Sequence, residues 1–336
     1  MTDVPRNSTD YADKGRLPMV SSDSVRLVAD IGATNARFGL ISAETRVVHS
    51  NTFSGKEFPT IADAIRAYLA RIGSHPKPRV GCIAIAGPAS SDQIRMTNRP
   101  WNFSVSALRD ELGFERLEVI NDFTAVALAL PRLAVSDRMT VGGGIPTAGR
   151  PIAVLGPGSG LGVSGIIPAG SRWLPLHGEG GHATMAPATD RESAVLDLMR
   201  RRFGQVSAER CLSGPGLVNL YTSLAALDGV SVESFTPDQI TAQAMVNRDR
   251  LCQETTEMFC AMLGTIAGDL ALTLGAQGGV YIAGGIVPRL GTRFVESGFR
   301  TRFQAKGRLS PYLASIPTYV VTHPLPAFLG CAAALT

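Results

Sequence analysis

The chain has 336 residues, 45% hydrophobic and 18% charged, with a net charge of +4 at neutral pH. Such a length, at about 100–200 residues per domain, predicts two domains with cores large enough to fold without disulfide or metal staples. The composition excludes a disordered polyelectrolyte. Basic residues are scattered; Arg200, Arg201 and Arg202 form the one run of three, at the predicted end of a helix, where they complement its dipole. No nucleic-acid partner is expected from that pattern. The five cysteines, Cys82, Cys211, Cys252, Cys260 and Cys331, contain no C-x-x-C pair and read as reduced thiols in a cytoplasmic protein.

Residues 1–24 are polar and read as a disordered tail, without a leader-type apolar stretch. They are too few for a helix-turn-helix domain. A strand is predicted over Val25 to Ala29, a turn over Asp30-Ile31-Gly32-Ala33-Thr34, and further strands over Ala36 to Ile41 and Val47 to Phe53. Phe58, Ile61, Ile65, Leu69 and Ile72 recur at helical spacing. VGCIAIAGP is a buried strand, Ser104 to Gly113 a helix, LEVIN a strand ending at Asp122, and Thr124 to Leu130 the start of a helix. PIAVLGPGSGLGVSGII then repeats the strand, turn and strand of residues 25–41. Thr236 and Gln239 form a capping box, Arg248 to Leu274 a long buried helix, and VYIAGGI a strand running into two glycines. No apolar run reaches the roughly 20 residues of a membrane span. Strands alternating with helices indicate α/β architecture, and the duplicated module suggests two related α/β domains facing a cleft.

Several segments have the composition of ligand-binding turns. Asp30-Ile31-Gly32-Ala33-Thr34 sets a carboxylate at a strand end beside a glycine and a hydroxyl, suited to phosphate and hydrated Mg²⁺, although an ordinary hairpin turn would read the same. Gly156-Pro157-Gly158-Ser159-Gly160-Leu161-Gly162 lacks the lysine of a P-loop and is followed by a strand, which leaves a nest of backbone amides or a plain flexible loop. Gly284-Gly285 could admit a flat base, or simply a close helix. Asn121-Asp122 stands at a strand end and a helix mouth, where a carboxylate stays ionised and can accept a proton, or can cap the helix. His177-Gly-Glu179-Gly-Gly-His182 has the wrong spacing for a zinc helix; its Glu and His suit a polyhydroxylated ligand or a satisfied polar loop. Glu209, in the first turn of a short helix, would be unremarkable alone.

Together, in the order DIGATNARFGL, GCIAIAGP, MTNRPWNFS, LEVINDFTAVALA, GPGSGLGV, LPLHGEGGHATMAP, VSAERCLSGPGLVNLY and GGVYIAGGIVPR, these segments resemble the bacterial ATP-dependent glucokinases of the hexokinase and actin-like ATPase superfamily. The resemblance runs from about residue 26 onward. It implies two actin-like (ribonuclease H-like) α/β domains flanking a cleft: a small one over residues 25–131 joined by 323–336, and a large one over 132–322. It places Ala29, Asp30, Gly32, Ala33, Thr34 and Asn35 in a first phosphate motif, Gly158, Ser159 and Gly160 in a second, and Gly284 and Gly285 in an adenosine motif. It further implies Asp122 as catalytic base, and Asn121, Asp122, Glu179, His182 and Glu209 as sugar ligands. ATP, Mg²⁺ touched by Asp30, glucose, and a homodimer follow from the same resemblance. The related repressor-and-kinase family carries a cysteine-rich zinc site after E-G-G-H; this chain reads ATMAPATD there, which sets it apart.

The expected reaction is phosphoryl transfer from Mg-ATP to the 6-hydroxyl of glucose, with cleft closure excluding water. Rival readings are a sugar-sensing regulator, an ATPase of the actin or chaperone kind, and a kinase of another hexose.

Overall fold

The computed structural model describes residues 25–42, 46–73, 76–96, 99–246 and 248–336; the expected tail over residues 1–24 lies outside them. In the N-terminal half, three strands, β1 (Val25–Ile31), β2 (Asn35–Ser42) and β3 (Val47–Ser54), precede helix α1 (Ile61–Arg71) and β4 (Val80–Ile85). A short hairpin, β5 (Gln93–Arg95) with β6 (Asn102–Ser104), leads into α2 (Val105–Leu112), β7 (Arg116–Asn121) and α3 (Asp122–Ala129). Strand β8 (Arg138–Thr140) then opens the second half, followed by β9 (Ile152–Pro157), β10 (Leu161–Ala169) and β11 (Arg172–Leu176). Helices α4 (Asp190–Phe203), α5 (Ala208–Cys211), α6 (Gly214–Leu227), α7 (Pro237–Met245) and α8 (Arg250–Leu274) come next. Strand β12 (Val280–Ile282), short helices α9 (Val287–Leu290), α10 (Thr292–Glu296), α11 (Phe299–Gln304) and α12 (Ser310–Ser315), β13 (Thr318–Val321) and α13 (Pro326–Ala334) complete the chain.

The internal repeat in the sequence is a repeat of topology. One sheet has the order β3-β2-β1-β4-β7, the other β11-β10-β9-β12-β13-β8. In each, three antiparallel strands form a meander whose first strand pairs in parallel with a later strand, which in turn pairs in parallel with another. Only β8, antiparallel at the edge beside β13, breaks the match. Parallel strands buried on both faces must be nearly continuous in apolar residues, and GCIAI and IAVLG are.

Several boundaries differ from the sequence expectation. Strand β1 continues through Asp30 and Ile31, because the antiparallel ladder extends to Asp30 opposite Arg37 and Ile31 opposite Ala36. The second glycine turn shrinks to Gly158-Ser159-Gly160, since Pro157 pairs with Leu161 and Gly156 with Gly162. Helix α3 begins at Asp122, two residues early, because the Asn121 side chain caps it. Helix α8 begins at Arg250 with Asp249 as its cap. The capping box at Thr236 and Gln239 stands as expected.

By length and apolarity α8 could cross a bilayer. Here it is the core helix of the second half, with Phe259, Met262, Leu263, Ala267 and Ala271 buried and α6, α7 and α11 packed around it. Helix α3 holds the halves together. Its Ala125 packs with Val28, Cys82, Phe328 and Cys331 on one side, and its Val126 and Ala127 with Val154, Tyr281 and Tyr319 on the other. A helix buried on two sides has little amphipathic period, and DFTAVALA has none to speak of.

Candidate active site

Strands β1 and β7 carry Asp30 and Asn121 at their C-terminal ends, the edge where open α/β sheets bind ligands. Near the end of β1, Asp30 accepts a hydrogen bond from Arg37 Nη1 at 3.0 Å across the hairpin. Burial pushes the Asp30 carboxyl above the usual carboxylate range, and the Arg37 charge opposes that shift. In the turn that follows, the Gly32 N–H donates to the Asn35 carbonyl at 3.0 Å and is therefore spent inside the turn. Thr34 and Asn35 stand exposed.

Strand β7 ends at Asn121, whose Oδ1 accepts from the Phe123 and Thr124 N–H groups at 2.9 and 3.1 Å while its Nδ2 donates to the Gly87 carbonyl at 3.2 Å. The capping role considered for Asp122 thus falls to its neighbour. Asp122 is the first helical residue, and its Oδ1 accepts from the Phe123 N–H at 2.8 Å. Its carboxyl is pushed up to about 6, by burial above all and by the charges of Asp30 and Glu179 in addition, with the Phe123 amide opposing. Two neighbouring carboxylates thus add to burial in holding the Asp122 proton more tightly than an exposed carboxyl would.

A cavity of about 350 Å³ opens beside them, walled by Asn121, Thr124, His177, Glu179 and Ser90. His177 Nδ1 lies 3.3 Å from Thr124 Oγ1. Beyond Glu179, His182 Nε2 stands 4.0 Å from the Glu179 carboxylate. A second recess of about 240 Å³ is lined by His182, Ser159, Ser207, Glu209 and Arg210. Glu209 sits there tied to the second hairpin, its Oε2 accepting the Leu161 N–H at 2.9 Å. Asn121 and Glu179 thus share one wall, whereas Glu209 lies across His182 in the neighbouring recess.

In the second turn, the Gly158 N–H donates to Gly160 O, and the Gly158 carbonyl accepts from Gly214 N–H, both at 2.8 Å. Open space lies where side chains would project from Gly158 and Gly285, while Gly284 turns the chain at φ +82°. The outer glycines have a different reason to be small. A Cβ at Gly162 would overlap the Phe123 ring, and one at Gly156 would stand 2.6 Å from it. Phe123, next to Asp122, is thus wedged against the second hairpin and fixes where α3 starts relative to it.

Phe123 and Arg37 carry no site role in the sequence pattern, and His177 enters it only as the first residue of His177-Gly-Glu179-Gly-Gly-His182. Arg37 was within reach of that pattern: counting outward from the turn pairs residue 31 with 36 and residue 30 with 37. Phe123 and His177 meet their partners only through contacts between the two halves, which no local pattern carries.

A family model described as Glucokinase matches residues 27–336. A protein named Glucokinase from Paramagnetospirillum magneticum is 52% identical over 311 residues, 92% of this chain and 97% of that protein. The crystal structure of a glucokinase from an Antarctic psychrotroph superposes with a TM-score of 0.85 at 39% identity, covering 93% of this chain and 98% of that one. A ROK family glucokinase from Streptomyces griseus, in complex with glucose and AMPPNP, shares the fold with a TM-score of 0.64 at 20% identity, covering 93% of this chain and 99% of that one.

Proposed function

The chain belongs to the glucokinase family, and on that premise we propose how its residues carry the reaction: transfer of the γ-phosphoryl group of ATP to the 6-hydroxyl of glucose, yielding glucose 6-phosphate and ADP. Asp122 is the general base. The observation that carries this assignment is its carboxyl at the head of α3, buried among Asp30 and Glu179 and pushed up to about 6, so that it is ionised at neutral pH yet ready to take a proton.

Glucose occupies the cavity beside α3, its hydroxyls met by Asn121, Asp122, Glu179 and His182. Glu209 joins them when the cleft closes and draws its recess toward the cavity. The nucleotide phosphates lie between the turn carrying Gly32, Ala33, Thr34 and Asn35, with Ala29 and Asp30 beneath it, and the turn Gly158-Ser159-Gly160. The adenosine rests on Gly284 and Gly285, over the open space at Gly285. Among the described residues Asp30 forms an ion pair with Arg37 alone, and its carboxylate, of the type a hard divalent cation prefers, would hold Mg²⁺ through water. When bound, Mg²⁺ neutralises phosphate charge. In this reading the chain's own residues position the sugar, accept its proton at Asp122 and exclude water.

The two sheets support a division into residues 25–131 with 323–336 and residues 132–322, because α13 packs on β1, β4 and α3. A cytoplasmic location agrees with five free, buried cysteines. A homodimer belongs to the same reading and is tested by sedimentation.

The test is ADP release from Mg-ATP with a panel of hexoses. Glucose-dependent turnover is expected, well ahead of fructose, with little ATPase activity in the absence of sugar. Glu179→Gln should raise KM for glucose at least about tenfold, since a charged hydrogen bond contributes roughly 1.5–3 kcal/mol, and leave KM for ATP nearly unchanged. ADP release indifferent to sugar would overturn the assignment. A rise in Tm with glucose and no turnover would favour a sugar-sensing regulator.

A further inference from the structure

Outside the catalytic set, one charged side chain among the described residues is almost wholly buried without a counter-ion. Arg99, in the connection from β5 to β6, is 7% exposed. Its Nε donates to the Gly32 carbonyl at 2.8 Å, and its guanidinium lies 4.8 Å above the ring of Trp101. The Trp101 Nε1–H is itself anchored on the Phe58 carbonyl at 3.1 Å. Both Arg99 Nη atoms are buried with no hydrogen-bond partner among the described residues. Buried cations are ordinarily paired, because desolvation penalises an isolated charge heavily.

The surroundings show that the guanidinium is held there. Gly55 leaves room for it: a Cβ at that position would stand 2.5 Å from Arg99 Cζ. The Gly55 N–H donates to the Thr34 carbonyl at 2.8 Å. Two carbonyls of the first turn, Gly32 and Thr34, are thus pinned from behind, one by Arg99 and one by the glycine that accommodates Arg99. Thr34 and Asn35 in the same turn are exposed. A positive charge with unspent donors is thus hydrogen-bonded to the turn itself.

We propose that Arg99 is a positioning residue for the nucleotide, fixing the Gly32–Thr34 turn through the Gly32 carbonyl and lending the turn a positive field that a polyphosphate answers. This rests on the reading of that turn as a phosphate-binding one. The preferred ligand of the field is a triphosphate, and its loss should weaken ATP binding selectively. Arg99→Lys retains a charge but not the fork that grips Gly32, and Gly55→Ala displaces the guanidinium while leaving its chemistry intact.

The experiment measures both KM values, kcat and Tm for Arg99→Lys, Gly55→Ala and Thr34→Val. Expected is a rise of about tenfold in KM for Mg-ATP in Arg99→Lys and Gly55→Ala, as for a lost charge-assisted contact, with KM for glucose within about twofold. A purely structural role would lower Tm and move both KM values together or neither, and would overturn the proposal. If Thr34→Val raises KM for ATP while the other two variants do not, the proposal for Arg99 fails and the phosphate reading of the turn stands. If KM for ATP is unchanged in all three, both fail.

Discussion

Asp122→Asn is expected to lower kcat by about 10²–10⁴-fold, the range for a positioned general base, equivalent to roughly 3–5 kcal/mol of barrier. Nucleotide binding should survive, so the rise in Tm produced by Mg-ATP should remain. In the parent protein, kcat/KM should fall below a pH of about 6, where the carboxyl takes up its proton, and this acid limb should be absent from the residual activity of the variant. The stability effect has the opposite sign. A carboxyl at about 6 in the fold, against about 3.9 unfolded, binds its proton more tightly in the native state. The parent therefore loses stability as pH rises from about 4 to about 6, by up to roughly 2–3 kcal/mol. Asparagine avoids that loss. Above pH 7 the inactive variant should melt higher than the parent, and near pH 4 the two should converge. Wild-type turnover in the variant, or a lower melting temperature at every pH, would remove Asp122 from the role of buried base.

The second large effect is expected at Gly330→Ala, far from the ligands. Helix α13 packs against α3, and Gly330 sits on that contact. A Cβ there would overlap the Ala125 carbonyl oxygen and press on the Ala125 backbone. Since the obstacle is backbone rather than a flexible side chain, the helices must separate. Phe328 and Cys331, fully buried beside Ala125, would then lose packing too. Overpacking of this kind typically destabilises by about 1–3 kcal/mol and occasionally more; with a rigid obstacle the upper end is expected. Because α3 begins with Asp122, the displacement should also reduce kcat. Denaturant unfolding and turnover, measured together, should both decline in Gly330→Ala, whereas Ala333→Gly on the same helix should lose only about 1 kcal/mol or less of helix propensity and keep its activity. Stability and turnover unchanged in Gly330→Ala would show that the helices tolerate separation.

Much of the molecule was legible in the chain. The alternation of strands and helices, the two glycine-bearing hairpins and the capping box at Thr236 are local patterns, and local patterns depend on backbone sterics and on neighbours three or four residues away. The helix expected over Ser104 to Gly113 is α2, with those two end residues serving as its caps, the hydroxyl accepting the Ala107 N–H and the glycine left-handed at φ +70°. The ends of strands were less legible, because a ladder stops where its partner stops. Asp30 belongs to β1 because Arg37 lies opposite it on one side and Ala84 on the other.

The sequence by itself determined the α/β class, the duplicated module, the family resemblance and the list of polar residues able to meet ATP and a sugar. Only the tertiary structure decided what each of those residues touches: that Asn121 rather than Asp122 caps α3, that Glu209 is engaged by the Leu161 amide, and that Gly156 and Gly162 are small to receive Phe123. The physical reason is one of range. Helix caps, turns and strand alternation are set by interactions a few residues long, whereas burial, the raised Asp122 carboxyl and the unpaired guanidinium of Arg99 depend on atoms that the chain brings together from far apart.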